Sequence, residues 1–341
     1  MKKSVIFIFL LAGFPSLGQG ALFDDNGFNN REEIGVSRTY LPSYISLKRY
    51  TPNLLYPQAL SSCVAHSFSM AKTITTAKKY NVTDPDEISL LHFSTWYMYH
   101  ELADYDDYSC GDGLSMEEAA EFALNEGFVP LANVEYPNFY PFSETVLCKQ
   151  TSKSYYPSSL TTDRSESKKY AFDKVYAIKN IDQLKTALSD GMPVVVGLMI
   201  PDSFEKAGSF FKLTSYEKGN LNYGHAMVVV GYNDNLNGGV FEIINSWGSE
   251  WGSSGFTKIS YDDFFEMVRA AYACEDFNRY GKTSNAIVIN TEEPELEEKY
   301  SAPMSRVEIT DERSNTFDNS ALLEAFQSVN KNWDEDDIDK L

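Results

Sequence analysis

Two apolar runs joined by a turn-forming segment place the strongest constraint on the fold of this chain. Residues 225–232 form the first run, residues 233–239 are rich in Asn, Asp and Gly, and residues 240–245 form the second run. Short runs rich in Val and Ile and bounded by turn residues are typical of β-strands. We therefore predict an antiparallel hairpin that brings the start of the first strand next to the end of the second.

The rest of the chain shows helical patterns mainly in its first half and strand patterns in its second half. Further strands are predicted at residues 193–200, 255–260 and 286–290. Helices are predicted at residues 63–80 and 87–102, from Ser115 to just before Gly127, and from Asn180 to just before Gly191. Segregated helices and strands favour an α+β fold in which two halves pack face to face.

Charge excludes one class of partner. The 341-residue chain has a formal net charge of −20, whereas a nucleic-acid-binding protein needs a basic face for the phosphates. Half of this charge lies in residues 291–341, which hold 15 acidic and 5 basic side chains. The acidity therefore belongs largely to a C-terminal tail, and we predict no nucleic-acid partner.

The N-terminus has the features of a secretory signal. Two lysines precede an apolar run over residues 5–14, which is too short to span a bilayer. Gly18 and Gly20 are the small residues that favour cleavage before Ala21. The brevity of the signal is typical of bacteria. We predict a secreted or periplasmic protein without a membrane span in its mature form.

These boundaries give the predicted organisation of the chain. Residues 1–20 are the signal peptide, residues 21–40 form a short extended segment that we call the leader, and residues 41–290 form the main domain. The acidic tail over residues 291–341 contains one short amphipathic helix near residues 322–329.

Three residues in the main domain have the chemistry of a nucleophilic site. Cys63 stands at the predicted N-terminus of a helix, where the helix dipole and unpaired backbone N–H groups stabilise a thiolate. His225 begins the first hairpin strand and Asn245 ends the second, so Asn245 could fix the tautomer of the imidazole. Trp247 could shield that hydrogen bond from water. A nucleophile, a base and an orienting group are the parts of an activated nucleophile.

These residues resemble the papain-like cysteine peptidases. Asn245-Ser246-Trp247-Gly248, followed by Trp251-Gly252-x-x-Gly255, is similar to a highly specific element of that family. Cys110-Gly111-Asp112-Gly113 resembles the family's Cys/Gly-rich substrate loop, and Tyr136-Pro137 resembles the dipeptide that commonly follows it. The resemblance covers about residues 41–290.

The resemblance implies a two-lobed fold, with a helical left lobe, a β-rich right lobe and an active-site cleft between them. It implies that Cys63 is the nucleophile, that His225 is the general base and then the general acid, and that Asn245 orients the imidazole. Substrate-binding residues implied in the same way are Gly113, Asp112 and Trp247. The implied substrate is a peptide or protein, with no cofactor and no metal.

The chain departs from the family pattern near the nucleophile. The oxyanion glutamine usually lies six residues before the cysteine, but Gln58 lies five residues before it and Pro57 occupies the expected position. A one-residue deletion would restore the match, so we predict that Gln58 and the Cys63 backbone N–H bind the oxyanion.

A second departure places His66 where the family usually has Phe, and Val64 where it usually has Trp. His66 is three residues after Cys63, so the two side chains could share a helix face. His66 could then be a second base or a pH sensor. We favour the alternative, a core residue with one hydrogen bond.

The cysteine pattern also differs. The family's disulfide bridge between the nucleophile segment and the substrate loop has no counterpart here, because Leu60 occupies the position of one of its two cysteines. Cys110 and Cys148 are predicted to pair. A Cys148–Cys274 pair is an alternative, and the sequence does not choose between them.

The leading hypothesis is a secreted cysteine peptidase that acts through an acyl-enzyme. The departures at Gln58, Val64 and His66 motivate an alternative, a catalytically silent binding module, and a Cys–His acyltransferase is a third option. The leader is too short for the family's long inhibitory pro-region. We therefore predict that the leader or the tail helix restrains the cleft.

Overall fold

The computed structural model describes residues 20–36, 40–53, 57–58, 60–103, 111–131 and 167–276. Several predictions concern residues outside these ranges and stay predictions. They are the signal peptide up to residue 19, the Tyr136-Pro137 pair, the strand at residues 286–290, the acidic tail with its helix, and the Cys110–Cys148 disulfide.

The elements are numbered here in chain order within the described ranges. The helices are α1 (Asp25–Asn30), α2 (Cys63–Lys79), α3 (Pro85–Leu90), α4 (Thr95–Leu102), α5 (Met116–Asn125), α6 (Ile181–Ser189) and α7 (Tyr261–Met267). The strands are β1 (Ala21–Leu22), β2 (Tyr44–Ser46), β3 (Leu114–Ser115), β4 (Lys174–Ala177), β5 (Val194–Ile200), β6 (Phe210–Phe211), β7 (Tyr223–Asn233), β8 (Val240–Ile244), β9 (Phe256–Ser260) and β10 (Val268–Glu275). Short 3₁₀ helices lie at Lys48–Tyr50 and Asp202–Lys206. Across these ranges no helix is both long enough and apolar enough to cross a membrane.

Helix α2 is the central element and confirms the helix predicted at residues 63–80. It contacts α4 and α5 as well as β5 and β7, and its residues are buried along most of its length. Polar side chains inside such a helix need local partners. Thr73 and Thr75 donate their hydroxyls to the backbone oxygens of Ser69 and Lys72, both at 2.9 Å. This core packing fixes the position of Cys63 at the N-terminus of α2.

The prediction of one helix over residues 87–102 is wrong, because the chain forms α3 and α4 with a break between them. At the break, Phe93 forms a β-bridge with Pro130, and the Ser94 N–H donates to the Val129 oxygen at 2.8 Å. The Ser94 hydroxyl then caps α4 by accepting from the Tyr97 N–H. Contacts with a distant segment therefore replace the helical hydrogen bonds at this point.

Two further predicted helices are confirmed. The helix predicted to begin at Ser115 is α5, and the helix predicted to begin at Asn180 is α6. Ser115 Oγ accepts from the Glu118 N–H, and Asn180 Oδ1 accepts from the Gln183 N–H. Both helices end before a glycine with positive φ, Gly127 or Gly191, where a left-handed residue closes a helix without strain.

The large sheet has the strand order β4-β10-β5-β7-β8-β9-β6, and β2 pairs with the end of β7. The predicted hairpin is confirmed as the antiparallel pair of β7 and β8, in which Val228 lies opposite Ile244. Strand β10 was not predicted although it lies between β4 and β5. Its centre is rich in alanine, which has low β-propensity, so its strand conformation follows from pairing on both edges.

The first part of the leader has regular structure, which corrects the prediction of an extended segment. Strand β1 pairs in parallel with β3, and Asp24 caps α1 by accepting from the N–H groups of Asn26 and Gly27, each at 3.0 Å. Phe28 is buried and packs edge-on against Tyr272, with 5.3 Å between the ring centroids. The leader therefore packs against both the helical half and the sheet.

A buried ion cluster joins α2 to the chain just after β10. Lys72 Nζ lies 2.6 Å from Asp276 Oδ2, and Lys79 Nζ lies 2.8 Å from Asp276 Oδ1. The Lys72 and Asp276 side chains are only 3% and 7% exposed. Removing one member would therefore leave a buried charge without its partner.

We expect Asp276→Asn to lower the free energy of unfolding by about 3 kcal/mol, because Lys72 would stay buried without the carboxylate that is paired with it. Urea denaturation measures this loss. The matched control is Glu242→Gln, which removes the partner of the 46% exposed Lys48 and should cost less than about 1 kcal/mol. Equal losses in the two variants would contradict the prediction.

Candidate active site

Cys63 lies at the first turn of α2 and is fully buried. Its thiol is close to the backbone groups of Gly20, Ala226 and Val64. Burial raises the pKa of the Cys63 thiol, and the neighbouring backbone N–H groups oppose that rise. Because Ala226 directly follows His225, the packing of α2 against β7 brings the two predicted catalytic residues together. Among the described residues, Cys63 and Cys274 are free cysteines, so the alternative Cys148–Cys274 pair has no support.

His225 lies near the start of β7 and is also fully buried. Its Nε2 is 2.8 Å from Asn245 Oδ1. A carbonyl oxygen can only accept, so Nε2 carries the proton of the neutral ring. Nδ1 is then the basic nitrogen, and it has no hydrogen-bond partner among the described residues. Burial lowers the pKa of His225 to about 4, although the Asn245 hydrogen bond opposes this shift.

Trp247 covers the imidazole. The two rings are stacked with 4.6 Å between their centroids and an angle of 26° between their planes. Trp247 is held from its other sides by Phe204 and Trp251, and the Trp251 indole donates to the Phe204 oxygen at 3.3 Å. Trp247 is therefore positioned to exclude water from the His225–Asn245 hydrogen bond.

Gln58 lies at the site despite the one-residue shift in its sequence position. Its backbone N–H donates to the Ser246 oxygen at 2.7 Å, and the Ser246 hydroxyl donates to Gln58 Oε1. Gln58 Nε2 donates to the Leu60 oxygen at 3.2 Å. These contacts fasten the segment before the nucleophile to the residue that follows Asn245.

The predicted substrate loop borders the site through Gly113, whereas the neighbouring Asp112 is exposed. Gly113 has a φ of 75°. A side chain there would overlap Gly20, so glycine permits both the backbone conformation and the close approach. The Leu114 N–H donates to the Gly20 oxygen at 2.8 Å. The chain around Gly20 therefore runs along the substrate loop and over Cys63.

The leader segment that follows Gly20 is fastened by contacts around α1. Arg31 Nε donates to Glu117 Oε1 at 3.0 Å, and the Arg31 side chain is only 6% exposed. Lys179 Nζ donates to the Phe28 oxygen at 2.7 Å and lies 3.6 Å from the centre of the Phe28 ring. These contacts hold α1 of the leader against α5 and against Lys179, which lies between β4 and α6.

The sequence named this segment, together with the tail helix, as a candidate restraint of the cleft, but it did not identify the contacts that hold it. The relevant contacts join residues that are 86 and 151 positions apart, and no local motif marks them. A local signal was available for α1 alone, since Asp24 precedes it as an N-cap residue and Phe28 supplies its buried face.

His66 is a buried residue that bonds within its own helix. Its Nδ1 is 3.1 Å from the Ser62 oxygen, so Nδ1 carries the proton, and its Nε2 has no partner among the described residues. Burial lowers the pKa of His66 to about 4. These contacts agree with the favoured core assignment.

Comparisons with known proteins indicate the same family that the sequence motifs resemble. A family model described as "Papain family cysteine protease" matches residues 61–274, more than half of the chain. Similar proteins include an uncharacterized peptidase C1-like protein of Acanthamoeba polyphaga mimivirus, 37% identical over 86 residues, and a cathepsin B-like cysteine proteinase of Caenorhabditis elegans, 29% identical over 164 residues. The matches cover 24% and 45% of this chain and 26% and 43% of those relatives. The chain therefore aligns with less than half the length of either relative.

Solved structures confirm the predicted two-lobed α+β fold. Xylellain, a cysteine protease from Xylella fastidiosa, has a TM-score of 0.59 and 20% identity, and the match covers 76% of this chain and 97% of that one. Procathepsin B S9 from Trypanosoma congolense has a TM-score of 0.55 and 18% identity, with 76% and 87% coverage.

His66 should make the stability of the protein depend on pH. Its pKa is about 4 in the fold and about 6.5 in an unfolded chain. The unfolded state therefore binds more protons between these values, and the free energy of unfolding falls as the pH is lowered from 6.5 to 4. We expect His66→Gln to reduce this slope by up to about 1.4 kcal/mol per pH unit.

Urea denaturation at several pH values measures the slope. His100→Gln is the control, because His100 lies on α4 with a partly exposed side chain. A His66→Gln variant that keeps the full slope would contradict the assignment.

Proposed function

Because the chain belongs to the papain family of cysteine proteases, we propose that it hydrolyses peptide bonds through Cys63, His225 and Asn245. The observation that carries this proposal is the His225–Asn245 hydrogen bond, which leaves the basic Nδ1 without a partner among the described residues, in a site that also holds the thiol. The proposal includes a secreted or periplasmic location and a bacterial origin, both of which rest on the N-terminal sequence.

The reaction begins with proton transfer from the Cys63 thiol to His225 Nδ1. The thiolate attacks the carbonyl carbon of the peptide, and the carbonyl oxygen becomes an oxyanion. We assign its stabilisation to the Cys63 backbone N–H and to the Gln58 side-chain amide, which lies near the nucleophile segment. Loss of one such donor typically lowers the rate by ~10²–10³.

The imidazolium then donates its proton to the departing amine, which leaves an acyl-enzyme on Cys63 Sγ. A water molecule gives its proton to His225 Nδ1 and attacks the thioester carbonyl. The second oxyanion collapses, the carboxylic acid leaves, and the proton returns to Cys63. Asn245 holds the ring orientation through both steps, and Trp247 shields the hydrogen bond that does so.

The leader is proposed to inhibit the site intramolecularly. Gly20 lies beside Cys63 in the precursor, and after cleavage before Ala21 the leader still passes over Gly224, next to His225. Burial raises the pKa of the thiol and lowers the pKa of His225. Both shifts favour the neutral thiol and imidazole over the reactive thiolate–imidazolium pair. Departure of the leader would admit both water and substrate, so the same movement would open the site and favour its charged form.

The function is tested with dipeptidyl reporter substrates and iodoacetamide. We expect turnover that Cys63→Ala reduces by at least roughly 10³-fold, since no other group replaces the nucleophile. Cys274→Ala is the matched control, because Cys274 is also a buried free cysteine but lies in β10. Absence of turnover across pH 5–8, together with absence of labelling at Cys63, in both the full chain and a chain whose leader is loosened by Arg31→Met would exclude the peptidase.

The inhibitory role of the leader is tested by weakening its attachment. Arg31→Met removes the buried charge-assisted hydrogen bonds to Glu117, so we expect Cys63 to react with iodoacetamide at least roughly tenfold faster in the full chain. Reporter turnover should rise in parallel. Arg49→Met is the control, because Arg49 lies outside the leader and stacks on the adjacent Tyr50. Equal labelling rates in the two variants would remove the leader as the restraint.

A further inference from the structure

A small cavity lies between helix α2 and the β7–β8 pair, beside the side chain of Asn245. Its volume is about 30 Å³, and its lining includes His66 from α2 and Asn245, which directly follows β8. Met70 and Phe93 belong to its apolar walls. A polar cavity of about 10–15 Å³ can hold one water molecule, so this space is large enough for an ordered water.

The direction of the Asn245 amide is fixed by the backbone. In addition to its 2.8 Å hydrogen bond with His225 Nε2, Asn245 Oδ1 accepts from the Ser246 N–H at 2.8 Å. A backbone N–H can only donate, so the amide oxygen must face Ser246. Asn245 Nδ2 points elsewhere, and this buried donor has no hydrogen-bond partner among the described residues.

His66 contributes the complementary kind of atom to the same cavity. Its Nδ1 donates to the Ser62 oxygen at 3.1 Å, so its Nε2 can only accept. His66 Nε2 is also buried and has no partner in the part of the chain that the structure describes. Burial lowers the pKa of His66 to about 4, so the ring is neutral and Nε2 remains an acceptor at neutral pH. A water molecule satisfies a donor and an acceptor of this kind together.

We propose that a water molecule in this cavity bridges Asn245 Nδ2 to His66 Nε2, and that His66 is thereby a positioning residue for the His225–Asn245 pair. The water accepts from Nδ2 and donates to Nε2. Ser67 and Thr95 also line the cavity and carry hydroxyl groups that can complete its hydrogen bonds. The proposal rests on the proposed peptidase function and adds one residue to that site.

The bridge protects the tautomer of His225. If the Asn245 amide turned over, its NH₂ group would face His225 Nε2, which would then have to accept. The proton of the neutral ring would move to Nδ1, the nitrogen that must take the proton from Cys63. Holding Asn245 Nδ2 through the water makes this rotation more costly, because it would leave a buried donor and a buried acceptor unpaired.

The two histidines lie close enough to influence each other. Burial is the main cause of the lowered pKa of His225, and the proximity of His66 lowers it further. The phenylalanine that papain-like peptidases usually have at the position of His66 offers no acceptor. The bridge is therefore a property of this chain's own residue.

The first experiment compares reporter turnover in chains whose leader is loosened by Arg31→Met. His66→Phe removes the acceptor and restores the usual residue of the family, so the fold should tolerate it. We expect kcat to fall roughly tenfold with KM unchanged, because the base is misplaced and the substrate contacts are not. His66→Gln keeps an acceptor oxygen near the position of Nε2 and should retain kcat within about twofold. His100→Phe is the matched control, because His100 lies on α4 outside the cavity lining, and it should leave kcat unchanged.

A double-mutant cycle separates positioning from a general structural effect. In Asn245→Ala chains the water has no amide to hold, so adding His66→Phe should lower kcat by less than about twofold. A further loss of roughly tenfold in that background would mean that His66 acts independently of Asn245, and it would overturn the proposal.

Two further readouts do not depend on peptide cleavage. Iodoacetamide labelling of Cys63 at neutral pH should slow roughly tenfold with His66→Phe and recover with His66→Gln, because the thiolate forms when His225 Nδ1 takes the thiol proton. A crystal structure of the full chain should show a water within about 3.2 Å of both Asn245 Nδ2 and His66 Nε2. A cavity without that water, or a direct contact between the two side chains, would overturn the bridge.

These readouts distinguish the failure of the inference from the failure of the proposed function. Peptide cleavage that His66→Phe leaves unchanged, or that His66→Phe and His66→Gln reduce equally, would overturn the role of His66 and leave the peptidase intact. Labelling of Cys63 that follows the acceptor at position 66, without peptide cleavage in any chain, would support the positioning role and reject the peptidase.

Discussion

The antiparallel pairing of β7 with β8 is the constraint on which the site depends. It brings His225 from the start of one strand next to Asn245, which directly follows the other. The same strand β7 forms the surface against which α2 packs, and this packing sets Cys63 beside Ala226. A shift of one residue in the hairpin would turn the imidazole to the opposite face of the sheet. The register of the β7–β8 pair therefore determines whether the His225 imidazole lies at the site.

In our proposal the leader changes that chemistry as well as blocking access to the site. A thiolate and an imidazolium gain from each other only where the environment compensates their lost hydration. Burial raises the pKa of Cys63 and lowers that of His225. A covered site of this kind stores its nucleophile as an uncharged thiol, which is also the form less prone to oxidation.

Local sequence patterns were sufficient for elements whose conformation depends on neighbouring residues. The capped helices, the hairpin and the order of Cys63, His225 and Asn245 follow from such patterns. The break before α4 and the strand β10 did not, because contacts with distant segments decide both. The attachment of the leader was not predicted for the same reason, since it depends through Arg31 on an acidic residue of α5.

The parallel pairing of β1 with β3 has a consequence for how inhibition would scale with concentration. A leader in the same chain has an effective local concentration near the millimolar range, which is independent of dilution. The chain would then stay closed at any protein concentration. A single cut after the leader would convert it into an ordinary ligand whose occupancy depends on its bulk concentration. Dilution of the cut leader would then open the site, even though the contacts between the leader and the site would be the same as before the cut.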